Sequence, residues 1–279
     1  MGEKIIGVDI GATKIHIGVV QDSKVIKEKI FPTNSEAAEN EIIKALISEI
    51  ELISGNDFTG IGIGVPGLID EDQGIVYDLW NIASWKEVHL KNKLEGHFNK
   101  PVKITNDANI FALGEKKFGK GKPFKNMVGV SLGTGYGTGI IINGNIYSGT
   151  LSGAGEMADI PYLDKKIEDY CSGKFFMQQY GVEGSLFFER AKEGDPEALR
   201  VFQEYGKHVG ESLKLILYML SPEAIFLGGS VSKSFLFFEN SMKETIGSFP
   251  FNRITEKLVI APAVTKNVTL LGAASLLTQ

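Results

Sequence analysis

Residues 6–26 read IGVDIGATKIHIGVVQDSKVI, and residues 128–147 read VGVSLGTGYGTGIIINGNIY. Gly7, Val8 and Gly11 of the first stretch match Gly129, Val130 and Gly133 of the second, and with a one-residue shift Gly18 matches Gly139. Each stretch reads as an apolar strand, a glycine turn, a second apolar strand and a polar turn. Such a unit, present twice about one domain length apart, predicts duplication. Two similar α/β halves would face each other, with a glycine turn from each aimed into the cleft.

Working outward, VIKEKIF alternates as a third strand. Ile42, Ile43, Leu46, Ile47, Ile50 and Ile53 then fall on one helical face, and Gly55 stops that helix. GIGIGV at 60–65 and VKIT at 102–105 return as strands, the latter running into an apparent helix, ANIFALGEKKF. In the second half, Leu199, Phe202, Val209, Leu213, Ile216, Leu217 and Leu220 mark a long amphipathic helix ending before Pro222. AIFLGG and KLVIA (257–261) read as strands, with a helix opening at Ser232 between them and VTLLGAASLL as a terminal helix.

The 279 residues carry 43% hydrophobic and 23% charged side chains, which excludes a disordered chain or a disulfide-stapled miniprotein. A net charge of −5 offers no global basic face for nucleic acid. Cys171 is the single cysteine, and the four histidines are scattered, so no zinc-ligand spacing exists. The N-terminal apolar run is interrupted by Asp9, and no stretch reaches the ~20 apolar residues of a membrane span. The expectation is a cytoplasmic protein with neither a nucleic-acid nor a membrane partner.

Several turns can carry chemistry. Successive N–H groups in Asp9-Ile10-Gly11-Ala12-Thr13-Lys14 can form an anion nest, with Thr13 adding a hydroxyl, Lys14 a charge and Asp9 a possible metal contact; an ordinary hairpin is the alternative. Gly133-Thr134-Gly135-Tyr136-Gly137-Thr138-Gly139 is a second nest candidate, whose four glycines and two threonines make a poor core strand and a good phosphate cradle. Gly228-Gly229 would let a nucleotide lie flat against backbone, or make a simple turn. Gly62-x-Gly64-x-x-Gly67 matches the dinucleotide fingerprint as a string, but Pro66 and a turn follow where a helix is required. Asn106-Asp107-Ala108-Asn109 starts a helix, where a carboxylate is stabilised in its charged form. Asp107 reads either as an N-cap or as a general base, and Asn106 can take the cap instead. Glu156, Asp159 and Glu168 put three carboxylates in one region, and the glycines and alanine before Glu156 suggest close packing around it.

Taken in order, DIGATK, VPG at 65–67, NDAN at 106–109, LGTGYGTG, GAGE at 153–156 and LGGSVS resemble the ROK family of sugar kinases and repressors, within the actin-like ATPase superfamily. The resemblance runs from about residue 5 to residue 275. It implies an α/β protein of two ribonuclease H-like (actin-like ATPase) domains around a central cleft. The expected domains are 1–117, completed by the helix 266–279, and 118–265. It further implies ATP and Mg2+ as cofactors, transfer of the γ-phosphoryl group to the 6-hydroxyl of a hexose, and a homodimer. The glucokinase branch is the most similar.

Carried over by position, Asp107 is the catalytic base, and Asn81, Asn106, Asp107, Glu156 and Glu168 bind sugar, with Asp159 standing where the family has a zinc- and sugar-contacting His. Asp9, Gly11, Thr13, Lys14, Gly133, Thr134, Gly135, Gly228 and Gly229 belong to the nucleotide side, and Asp9 is the magnesium candidate. The family's cysteine-rich zinc loop is replaced by DIPYLDKK, so its zinc is not inherited. The carboxylates predict an acceptor-rich, negative site suited to neutral sugars. Glucose is the expected substrate. The rival readings are an N-acetylhexosamine kinase, a sugar sensor without turnover, and a chaperone-like or filament ATPase, for which the chain leaves little room.

Overall fold

A computed structural model describes residues 2–278 as two compact units. One runs to Pro123 and includes Gly139–Gly155 and the chain from Val264 onward. The other holds Phe124–Thr138 and Glu156–Ala263.

The first unit is built on a five-stranded sheet in the order Lys24–Pro32, Lys14–Gln21, Ile5–Ile10, Gly60–Val65, Val102–Asn106. The first three strands of the chain form an antiparallel meander, and the last two run parallel to Ile5–Ile10. Ile6, Val8, Ile61 and Ile63 are wholly buried, as parallel central strands require. Lys24–Pro32 is the edge strand, mostly exposed and rich in Lys and Glu, which discourages pairing with another chain. The helix Glu39–Ser54 buries Ile42, Ile43, Leu46 and Ile50 and ends where Gly55 takes φ 59°. A small sheet of Leu68–Asp70, Ile75–Tyr77 and Glu87–Val88 follows the fourth strand.

The second sheet repeats the same order: Asn145–Ile146, Tyr136–Ile142, Met127–Leu132, Ala224–Gly228, Val259–Pro262. Its last two strands again run parallel to its first, Met127–Leu132. The duplicated stretches thus occupy equivalent places in two sheets of one topology. Asp195 caps the long helix Pro196–Leu220 by accepting from Glu197 N and Ala198 N. Gly206 and Gly210 let that helix approach the helix Phe235–Gly247 closely; a Cβ on either would lie 2.5 Å from Phe238 O or 2.8 Å from Met242 O.

Three boundaries differ from the sequence reading. The strand expected at 257–261 is Val259–Pro262. The helix expected at Ser232 is a 3-10 turn, Val231–Ser234, running into Phe235–Gly247. The terminal helix closes at Ala274 and tightens into a 3-10 turn, Ser275–Thr278.

That terminal helix, Val268–Ala274, packs backbone to backbone within the first unit. A Cβ on Gly7 would lie 2.3 Å from Leu270 O, one on Gly62 1.8 Å from Ala273 O, and one on Gly272 1.8 Å from Ile110 O. Gly62→Ala should therefore destabilise the protein by about 3 kcal/mol, since the clash is with main chain that cannot swing away. Gly96 lies inside the helix Leu90–Phe98 with open space at its Cβ. Gly96→Ala should stabilise by about 0.5–1 kcal/mol through helix propensity alone. Thermal unfolding of the two variants checks both, and a Gly62→Ala protein as stable as its parent contradicts the packing.

Candidate active site

Asp9 is the last residue but one of the first strand, opposite His16 and Gly64. Burial pushes its carboxyl above the ordinary range, opposed by a hydrogen bond with Thr269 and by the charges of His16 and Lys14. In the following turn Gly11 N–H donates to Lys14 O at 2.9 Å, and Thr33 Oγ1 donates to Gly11 O at 2.6 Å. Gly11 is thus spent on closing the hairpin, and any anion cradle here falls to Ala12 and to exposed Thr13 and Lys14. Ala12 and Thr13 line one wall of a shallow hollow whose other wall includes Asn34, Ser35 and Glu36.

Val102–Asn106 leads directly into the helix Asp107–Phe118. Asn106 is buried and is the N-cap: its Oδ1 accepts from Ala108 N at 2.8 Å, and its Nδ2 donates to Gly67 O at 3.2 Å. Asp107 Oδ1 also accepts from Ala108 N, at 2.9 Å. One N–H serves two acceptors, so the helix is capped without Asp107, whose carboxylate stands at the positive end of the helix dipole. Beneath it, the Thr105 hydroxyl donates to the Glu71 carboxylate, Ser152 Oγ donates to Glu71 Oε1 at 2.7 Å, and Asn109 Nδ2 donates to Thr105 Oγ1 at 3.0 Å. The sequence reading missed this network, since Glu71 and Ser152 lie outside every motif. Asn81 is exposed, in a turn whose Leu79 packs over Gly67.

In the second unit, Gly133 N–H donates to Gly135 O at 3.0 Å, and Gly133 O accepts from Gly173 N at 2.7 Å. A Cβ on Gly133 would meet no protein atom within 4 Å, whereas one on Gly135 would lie 2.6 Å from Glu168 Oε2. Gly135 is small to make room for Glu168; Gly133 is small with nothing of the chain beside it. Thr134 between them is exposed. Gly228 is buried in its strand opposite Ser131. Gly229 takes φ +82°, and a Cβ there would lie 2.4 Å from Leu132 O, so glycine is required by the fold itself.

The carboxylates are not as the sequence suggested. Glu156 is exposed rather than closely packed, because its neighbour Met157 takes the inward position. Partial desolvation, then the charges of Asp159 and Glu168, pushes its carboxyl above the ordinary range. Asp159 is exposed and pairs with Lys166 at 2.5 Å. Glu168 accepts from Tyr136 N at 3.1 Å and pairs with Lys174. Lys166 and Lys174, unread in the sequence, pair with Asp159 and Glu168 and offset two of these three negative charges.

DIPYLDKK forms a hairpin, Pro161–Tyr162 with Lys165–Lys166. Tyr162 Oη lies 3.0 Å from His208 Nδ1, and the Tyr162 and Tyr170 rings meet edge-on at 5.4 Å. Among the described residues no three His, Cys, Asp or Glu side chains cluster as a metal site. Magnesium asks for less: it keeps several waters and takes one or two carboxylates plus phosphate oxygens. Asp9, a lone half-buried carboxylate beside a turn bearing Thr13 and Lys14, fits that demand.

The chain belongs to the ROK family, whose model matches residues 5–279. It is 27% identical to the glucokinase of Thermotoga maritima, over 99% of this chain and 98% of that protein. It is 31% identical to the xylose repressor of Bacillus subtilis, over 78% of this chain and 60% of the repressor. The structure superposes with a TM-score of 0.85 on a ROK family glucokinase from Streptomyces griseus in complex with glucose and AMPPNP, at 27% identity and 98% coverage of both chains. The fold is the actin-like ATPase fold of these proteins.

Burial holds the His208 imidazole below its ordinary value of 6.5, although Glu204 and Glu211 pull the other way and Lys207 adds to the depression. The unfolded chain therefore binds a proton that the folded chain resists. The stability contributed is full above about pH 6.5 and is lost as pH falls through the folded value. Melting temperature should drop from about pH 7 to about pH 5 in the parent, and drop less in His208→Gln. Equal slopes in the two proteins would show that His208 does not titrate in this range.

Proposed function

We propose that the chain is an ATP-dependent hexose kinase that phosphorylates the 6-hydroxyl of a neutral hexose, glucose first. The observation that carries this reading is Asp107. Its helix is capped by Asn106 Oδ1, so the N-cap role does not by itself call for the carboxylate. A carboxylate at a helix start, beside a buried amide and just past a strand whose Thr105 is held by Glu71, supports a role in proton transfer. The glucose and AMPPNP bound by the Streptomyces griseus relative support both substrate classes.

In this reading Asn106 and Asn81 hold sugar hydroxyls, and an Asp107 oxygen accepts the 6-hydroxyl proton as the sugar oxygen bonds to the γ-phosphorus and the bond to the β–γ bridging oxygen breaks. Glu156 and Glu168 take hydroxyl donors on the sugar. Lys14, Thr13 and the Gly133–Gly135 loop bind phosphate oxygens, the positioning and charge neutralisation that phosphoryl transfer chiefly needs. Asp9 would hold magnesium, which when bound supplies further neutralisation of phosphate charge.

The pairing of Asp159 and Glu168 with Lys166 and Lys174 reduces the negative charge a sugar meets, which supports selection by hydroxyl recognition. A coupled assay over glucose, N-acetylglucosamine, N-acetylmannosamine and fructose tests the reading. Glucose should show the highest kcat/KM. An acetylated sugar or fructose ahead by about tenfold, a gap of ~1.4 kcal/mol, would leave a kinase of another sugar. No turnover of any sugar would leave a sensor. Asp107→Asn should fold normally and lose about 10²–10⁴-fold in kcat. Near-normal turnover in that variant removes Asp107 from the chemistry.

The two glycine turns give a separate test. Gly133→Ala meets nothing of the chain, so stability should change by less than about 0.5 kcal/mol. The methyl group would nonetheless occupy the space of a phosphate, and the KM for ATP should rise about tenfold while that for sugar holds. An unchanged KM for ATP would show that this turn does not cradle the nucleotide.

A further inference from the structure

The chain has two tryptophans, five residues apart, in opposite surroundings: Trp85 is fully buried, while Trp80 is 95% exposed. A bare indole is unusual, because burying that ring removes a large apolar area from water. The loop that displays it is firmly built. Leu79 N donates to Trp85 O at 2.9 Å, Ile82 N to Leu79 O at 3.1 Å, and Trp85 N to Ile82 O at 2.8 Å. Leu79, Ile82 and Trp85 are all buried, and Ser84 Oγ donates to Ala37 O at 2.9 Å. Trp80 and Asn81 are the two central residues of the turn closed by Leu79 and Ile82, so the fold turns both outward.

The turn is tied to the Asp107 helix start through one residue. Gly67 has φ +89°, and a Cβ there would lie 3.0 Å from Leu79 Cδ1. The same Gly67 offers its carbonyl to Asn106 Nδ2. The bare indole is therefore displayed on the residue next to Leu79, which packs on the glycine whose carbonyl holds Asn106.

A hexose ring has hydroxyls around its edge and a patch of C–H bonds on its face. Asn81, Asn106 and Asp107 match the edge and leave the face without an apolar partner. We infer that Trp80 is the platform for that face, a specificity-determining residue that stacks on the C–H surface of the sugar. The inference rests on the hexose-kinase reading for the identity of the ligand. It selects hexoses whose C–H face is unbroken by an axial hydroxyl.

Iodide quenching of tryptophan fluorescence tests it without ATP, since only Trp80 is accessible. Glucose should protect Trp80 from iodide, and Trp80→Phe should leave an emission that neither iodide nor glucose changes. In the assay, Trp80→Ala should raise the KM for glucose about tenfold, leave that for ATP within about twofold, and be largely rescued by Trp80→Phe. Glucose turnover with unchanged quenching and an unchanged KM in Trp80→Ala overturns the platform and leaves the kinase reading intact. Protection without turnover of any hexose supports the platform and ends the kinase reading. Neither protection nor turnover ends both. Protection that grows with protein concentration in the absence of sugar makes Trp80 a contact between copies and overturns the inference.

Discussion

The approach of the terminal helix to the first sheet at main-chain distance fixes the first unit. Val268–Ala274 is only seven residues long and carries no side-chain cap, so it owes its stability to what it packs against. Gly7 and Gly62 on two neighbouring strands, Gly114 on the Asp107 helix and Gly272 on the terminal helix itself each remove a Cβ from that interface. Carbonyl groups then lie where methyl groups would otherwise be. The helix also bears on the candidate site, because Thr269 opposes the upward push of burial on the Asp9 carboxyl. The last elements of the chain thereby influence one of its first candidate site residues, and the packing on Ile110 holds the helix that begins at Asp107.

Much of this fold could be read from sequence because its long elements obey simple periods. Central strands such as Ile5–Ile10 and Gly60–Val65 are short apolar runs between turn residues, and the helix Glu39–Ser54 shows its isoleucine stripe openly. The matching glycine turns exposed the duplication, and both sheets carry one strand order. Other short elements left no such trace. The three-stranded sheet at Leu68–Val88, the hairpin at Pro161–Lys166 and the helix Lys174–Tyr180 are too short for a period to emerge, and their place is set by tertiary contacts.

Site residues were legible as types and less so as environments. A glycine in a turn has one letter and several causes: Gly229 answers to Leu132 O, Gly135 to Glu168, and Gly133 to nothing in the chain. Only coordinates separate a glycine the fold demands from one that leaves room. Charge has the same ambiguity. Asp159 and Glu168 looked like bare acceptors until Lys166 and Lys174 were found on them, seven and six residues along the chain. Those pairings follow from how the hairpin and the helix Ile167–Cys171 fold back, which residue spacing does not encode. Exposed pairs of this kind add little stability, so their effect is on the charge a ligand meets.

The kinase and repressor relatives match this chain at 27% and 31% identity, so overall likeness does not distinguish catalysis from sensing. One architecture supports both, and function is decided by groups grafted onto it. Sensing a sugar requires hydroxyl partners, which Asn81 and Asn106 can provide as neutral amides. Transferring a phosphoryl group asks in addition for a base at the reacting oxygen. In this chain the residue beside the cap is a carboxylate although the cap is already made by Asn106 Oδ1. The N-cap role is therefore not what calls for a carboxylate at position 107. A carboxylate at position 107 is the group that the enzyme reading requires and the sensor reading does not.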